Sequence, residues 1–325
     1  MSLLEIRNLH TTFRTSSGEV RAVNGLSLGL EAGEIVGIVG ESGSGKSVAM
    51  LSLMGLVEPP AGSVRAEALR FEGRDLQAMK PDERRRLRGN RMAMVFQDPL
   101  TSLNPFLTVE EQICEVLEIH KGMRRREARG RAVELLTSVG IPAAERRVSE
   151  YPHRFSGGMR QRVMIAIALA CDPALLIADE PTTALDVTIQ AQILELLQRL
   201  RDERGMAVIL ITHDLGVVAG ACGRVIVMYA GRAVEEAAAD DLFGGARHPY
   251  TRGLLGSLPR LDEDEGAKLS PIPGLPPDLS RIPAGCPFHP RCPHVLDRCR
   301  LEEPRLAPVG GRTGHRKACF VELPR

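Results

Sequence analysis

Residues 34–47, Glu-Ile-Val-Gly-Ile-Val-Gly-Glu-Ser-Gly-Ser-Gly-Lys-Ser, decide the fold. The run 34–39 is apolar, β-branched and punctuated by glycine, which predicts a buried strand. Gly40, Gly43 and Gly45 let the backbone bend so that several N–H groups face one anion. Residues 46–53 continue as a helix, whose N-terminal partial positive charge adds to the attraction. Strand, glycine loop and helix in this order are the context that a phosphate-binding loop requires. Lys46 is then placed to reach the β- and γ-phosphates and the Ser47 hydroxyl to ligand Mg²⁺, with Ser42 and Ser44 completing the nucleotide cradle.

A binding loop does not say what happens to the nucleotide. Ala174-Leu175-Leu176-Ile177-Ala178-Asp179-Glu180 supplies the next part. Its apolar positions predict a strand of a parallel sheet, with Asp179 and Glu180 emerging at the C-terminal edge, where α/β sheets bind ligands. Asp179 is placed to hold the Mg²⁺ shell. Glu180 is placed to orient or deprotonate an attacking water.

Several further segments follow in a telling order. Phe155-Ser156-Gly157-Gly158-Met159-Arg160-Gln161-Arg162 resembles the signature motif of ATP-binding cassette proteins. Thr183-Ala184-Leu185-Asp186 resembles their D-loop, and His213, after Val208-Ile209-Leu210-Ile211-Thr212, their switch histidine. Gln97, closing Met92-Ala93-Met94-Val95-Phe96, falls where the family has its Q-loop glutamine, and Phe13 matches the aromatic that stacks on adenine. The resemblance spans residues 1 to about 257. The sequence departs from it in two places, Phe155 where leucine is usual and Met159 where glutamine is usual; Ser156, Gly157 and Gly158 are intact.

A closer resemblance is to the ATPase subunits of di- and oligopeptide importers. It rests on Phe96-Gln97-Asp98-Pro99-Leu100-Thr101-Ser102-Leu103-Asn104-Pro105, on Arg247-His248-Pro249-Tyr250-Thr251 and on the cysteine-bearing tail. The ATPase subunits of nickel and other small-solute importers look much alike and form the alternative. The resemblance implies an ABC-type P-loop core of mostly parallel sheet, an antiparallel β subdomain, a helical subdomain over about residues 100–160 and a small cysteine-rich C-terminal appendage. It also implies that ATP binds at 40–47 with adenine on Phe13, and that Gln97 joins Ser47 and Asp179 around Mg²⁺. Glu180, His213 and Gln97 would serve hydrolysis. Ser156, Gly157, Gly158 and Asp186 would serve the ATP of an opposing ATPase subunit, two such subunits standing head to tail. Two transmembrane permease subunits, and indirectly an extracytoplasmic substrate-binding protein, complete the implied assembly.

Composition is consistent with this. At 325 residues the chain has room for one large domain and an extension. With 42 basic and 41 acidic residues its net charge is +1, so no global field draws it to nucleic acid. The runs Arg84-Arg85-Arg86 and Arg124-Arg125-Arg126 lack interleaved aromatics and read as solvated helix faces. No stretch approaches the ~18 apolar residues of a membrane helix, and the N-terminus does not open like a signal peptide. The expectation is a bacterial peripheral protein on the cytoplasmic face of the membrane.

Along the chain, residues 3–30 read as short strands with a turn at Ser16-Ser17-Gly18-Glu19. Helical spacing appears at 109–118 and 129–136, and the signature is expected to start a helix over 160–171. Strands at 174–179, 206–212 and 224–229 then alternate with helices at 187–203 and 214–221, a βα pattern. From 258 onward the chain differs, holding twelve of the 22 prolines and four of the seven cysteines. Residues 260–266 look like a linker.

Cys286, Cys292, Cys299 and Cys319 are spaced C-x₅-C-x₆-C-x₁₉-C. A reducing compartment disfavours disulfides; four unrelated thiols are one reading, and the other is a metal centre, since so short a segment has little apolar material for its own core. Four-cysteine sites suit both Zn²⁺ and iron–sulfur clusters, and the spacing does not choose. The resemblance to peptide-importer ATPases implies a [4Fe–4S] cluster. Cys114, Cys171 and Cys222 lie singly on helical segments and read as packing residues.

Overall fold

The computed structural model describes residues 2–16, 18–183, 185–257 and 271–323. Ser17 of the expected turn, Ala184 of the D-loop segment and the whole expected linker lie outside the described residues. The chain divides into two compact units. One comprises Ser2–Leu30, Ile35–Asp75 and Ile211–Arg325, and the other Glu31–Glu34 and Leu76–Leu210.

The first unit is rich in strands. Ser2–Thr15 is flanked by Gly18–Glu31 and pairs antiparallel with Gly62–Arg65 and Ala68–Phe71. The two leading strands are long, at 14 residues each, rather than the short strands expected. Their reading was obscured by a phase change. Leu4 and Ile6 are buried, then Leu9 and Thr11. Between them Asn8 adopts φ 50°, shifting the alternation by one residue as a bulge does.

A second sheet in this unit carries the phosphate loop. Ile35–Val39, every residue of which is buried, pairs in parallel with Arg224–Tyr229. Arg224–Tyr229 then pairs antiparallel with Arg232–Ala238. Arg232–Ala238 is followed by Arg312–Lys317 and Ala307–Val309, so the C-terminal segment adds two strands to this sheet.

The second unit holds most of the helices. Its strands Met92–Val95 and Leu175–Asp179 are parallel, in register from Met92 opposite Leu175. Leu175–Asp179 is buried throughout, as a strand covered on both faces should be. Helices Val109–Lys121, Arg125–Ser138 and Gly157–Ala168 pack on one another, and their Ile113, Leu117, Leu135 and Val163 are all at most 1% exposed. The signature helix starts at Gly157, three positions before the expected start. The cause is Ser156, whose Oγ accepts from the Met159 N–H (3.4 Å) and so caps the first turn.

Helix Val109–Lys121 has a reciprocal cap. Thr108 Oγ1 accepts from the Glu111 N–H (3.2 Å), and the Glu111 carboxylate accepts from the Thr108 N–H (2.7 Å). Thr108→Ala is expected to cost about 1 kcal/mol. A lowered urea midpoint at unchanged m-value would report it, and an unchanged midpoint would contradict it. Among the described residues no helix is long and apolar enough to cross a membrane.

Candidate nucleotide site

The strand-rich unit supplies the loop. Helix Lys46–Met54 begins directly after it, capped by Gly45, which sits at φ 97°. A side chain is excluded at two loop positions. A Cβ on Gly40 (φ 154°) would run into the Met228 carbonyl, and one on Gly45 into that of Ala22. The loop thus needs glycine both for its turns and for its close fit to neighbouring backbone.

Lys46 is 5% exposed. Its Nζ donates to the carbonyls of Gly40 (2.7 Å) and Glu41 (3.0 Å), which holds the ammonium inside the loop. Ser44 is 4% exposed, and its Oγ has no hydrogen-bond partner. A buried cation, an orphaned buried hydroxyl and a helix N-terminus converge here, a set that fits a polyphosphate and little else. Ser42 and Gly43 are exposed and Ser47 half-buried. Ser47 offers a hydroxyl oxygen, a hard donor of the kind that suits Mg²⁺.

Glu41, second residue of the loop, is held from the C-terminal side of the same unit. Its N–H donates to the Tyr250 hydroxyl (2.8 Å), and its carboxylate accepts both terminal nitrogens of Arg291 (2.7 and 2.9 Å). Burial pushes the Tyr250 phenol up, keeping it protonated. The hydrogen bonds to Glu41 raise Arg291 above the usual guanidinium range. Phe13 lies half-buried on Ser2–Thr15, opposite Gly62, and His213 is exposed just beyond strand Ala207–Thr212.

The helical unit holds the remaining candidates. Asp179, 5% exposed, ends its strand, and Glu180 follows at φ 47°, a left-handed conformation uncommon outside glycine. Glu180 Oε2 accepts from Gln97 Nε2 (2.9 Å) and from Thr183 Oγ1 (2.9 Å). Two donors and an unusual backbone turn thus fix one carboxylate at a strand end, as a group that must orient water requires. Thr183 was not singled out for this contact by sequence; its spacing of three from Glu180 fits a turn.

The signature and the start of the next helix also meet. Ser156 and Gly157 are exposed, and Gly158 lies so close to Ile189 that a Cβ would come within 2.7 Å of its Cγ2. Asp186 Oδ1 accepts from the Ile189 N–H (2.9 Å), capping helix Val187–Arg204. Phe155 is 2% exposed beneath Arg147, so the bulkier residue at this position is simply accommodated in the core.

The metal expectation for the tail is corrected. Cys286, Cys292, Cys299 and Cys319 line one small cavity beside Phe288 and His248. Among the described residues, however, no three His, Cys, Asp or Glu side chains are grouped so as to hold a metal ion. Neither the [4Fe–4S] cluster nor the Zn²⁺ alternative is supported. Burial, with the neighbouring thiols adding to it, raises Cys286 to about 11, and burial raises Cys292 and Cys319 also.

The premise that the segment lacks a core fails too. Phe288 is 2% exposed and packs on Tyr229 and Tyr250, with ring centroids 5.2 and 5.4 Å away. Cys114, Cys171 and Cys222 are buried packing residues, and burial pushes Cys222 up to about 12.

Comparison with known proteins adds an independent line. Residues 23–183 match the family described as ABC transporter, and residues 234–299 the one described as oligopeptide/dipeptide transporter, C-terminal region. The chain is 54% identical to the oligopeptide transport ATP-binding protein OppD of Salmonella typhimurium, over 98% of this chain and 93% of that one. It is 53% identical to the dipeptide transport ATP-binding protein DppD of Escherichia coli, over 99% and 98% of the two chains. Among solved structures, a dimeric ATP-binding cassette in a post-hydrolysis state with ADP and Pi superposes with a TM-score of 0.64 at 32% identity. That match covers 73% of this chain and 98% of the other.

Proposed function

This chain belongs to the ABC transporter family and is an ATPase of that family; we propose that it powers the import of di- or oligopeptides through a membrane transporter. The observation that carries the peptide reading is the peptide-transporter match over residues 234–299, joined to 54% identity along nearly the whole chain. ATP lies with its phosphates on residues 40–47 and its adenine on Phe13. Ser47 and Asp179, with Gln97, would hold Mg²⁺, which when bound offsets charge on the phosphates.

Glu180 orients the attacking water and takes its proton, while Gln97 and Thr183 hold the carboxylate in place. The water oxygen bonds to the γ-phosphorus as the bond to the bridging oxygen breaks, leaving ADP and phosphate. His213 steadies the γ-phosphate. Catalysis of this kind is positioning and charge stabilisation. Ser156 and the exposed Gly157, with Gly158 behind them, close on the ATP of a second ATPase subunit, and Asp186 orders the segment beside them.

Residues 1–257 form the ATPase, with residues 100–160 as the helical subdomain that passes movement to two permease subunits. Residues 258–325 form a peptide-transporter-type extension. The assembly works at the inner face of the membrane and receives its cargo from a binding protein. In cells lacking this chain, uptake of a labelled oligopeptide should be lost, then restored by the wild-type chain and not by Lys46→Ala. Undiminished uptake without the chain would overturn the proposal.

A further inference from the structure

Arg291 stands between two cysteines of the C-terminal segment, yet its guanidinium ends in the phosphate loop. Both terminal nitrogens donate to the Glu41 carboxylate, at 2.7 and 2.9 Å. The side chain is 5% exposed. It is fixed from behind as well: Nε donates to the Pro273 carbonyl (2.9 Å), and the group lies 5.9 Å from the Tyr229 ring centre and 6.0 Å from that of Phe288. A two-pronged, nearly buried pair of this kind fixes direction as well as distance, which a lysine cannot do.

Glu41 puts a carboxylate at the second position of a loop that binds polyphosphate. Unpaired, it would repel the ligand at short range through a partly desolvated medium. Its backbone carbonyl also accepts from Lys46 Nζ (3.0 Å), so movement at Glu41 is movement of the lysine's own anchor. The Tyr250 hydroxyl holds the Glu41 N–H, leaving both backbone groups and the side chain of this residue committed.

We propose that Arg291 is a positioning residue for ATP. It neutralises Glu41 beside the phosphates and pins the loop, so that nucleotide affinity depends on the docked C-terminal segment. The proposal rests on the reading of residues 40–47 as the ATP loop. By linkage, nucleotide also tightens the docking of the segment.

The test is titration of the full chain with a fluorescent ATP analogue and Mg²⁺, with melting curves to report folding separately. Arg291→Ala should weaken binding by about tenfold, the scale of typical coupling between sites. Adding Glu41→Gln should regain part of that loss, because the bare carboxylate is then gone; a merely structural tail would give no such rescue. Arg298→Ala, in the same segment but on an exposed pair with Glu302, should bind as wild type. Should Arg291→Ala fail to fold, Arg291→Gln, which keeps the stem over the rings, carries the same expectations. Wild-type affinity in the Arg291 variant, or a loss that Glu41→Gln does not relieve, would overturn the proposal. Full affinity in Lys46→Ala would instead overturn the reading of the loop.

Discussion

Replacing Glu180 by glutamine is expected to slow ATP turnover by about 10²–10⁴-fold, the usual contribution of a positioned base. ATP binding should stay close to wild type. The carboxylate belongs to the residue just after a fully buried strand, sits on a left-handed residue at φ 47°, and receives Gln97 and Thr183 at 2.9 Å each. An amide of the same shape preserves the packing and can still accept one of those donors. It cannot take a proton from water. Phosphate release and retention of bound nucleotide, measured on the same preparation, separate the two effects. Turnover within a few-fold of wild type would remove Glu180 from the role given to it.

Lys46→Ala is expected to weaken ATP binding by about 100-fold or more, since charge-assisted contacts to phosphate are among the strongest polar interactions. The ammonium is 5% exposed, and in the loop it already bonds two carbonyls. Its removal takes away the cation facing the anion and also the brace between Gly40 and Glu41. Circular dichroism should show an intact fold, because Ile35–Val39 and helix Lys46–Met54 keep their apolar contacts. Undiminished binding in a folded variant would place the nucleotide elsewhere.

The parts of this protein that its sequence revealed are those governed by local rules. Strand Ile35–Val39, its glycine loop and helix Lys46–Met54 follow one another without a break, and each is signalled by residue type alone. Leu175–Asp179 was legible for the same reason. Errors arose where phase or distance in sequence intervened. Asn8 shifts the alternation of the first strand by one position, so a single 14-residue strand looked like shorter pieces.

The tail was misjudged because composition was taken to describe a free-standing segment. In the structure Arg312–Lys317 pairs with Arg232–Ala238, and Phe288 shares the aromatic cluster of Tyr229 and Tyr250. No metal is needed to explain why such a segment folds. The Arg291–Glu41 pair spans 250 positions and matches no periodic or motif signal. Only the fold brings it together.

The central claim is that this chain binds ATP on its loop and offers its exposed Ser156 and Gly157 to the ATP of a second ATPase subunit. Light-scattering mass tests it most directly, using the Glu180→Gln chain with ATP, alone and mixed with the companion ATPase subunit of its transporter. The account predicts an ATP-dependent assembly of two ATPase subunits, which disperses when ATP is removed and does not form when Ser156 is replaced by arginine. A protein that binds ATP yet keeps the mass of one chain in both mixtures would contradict it.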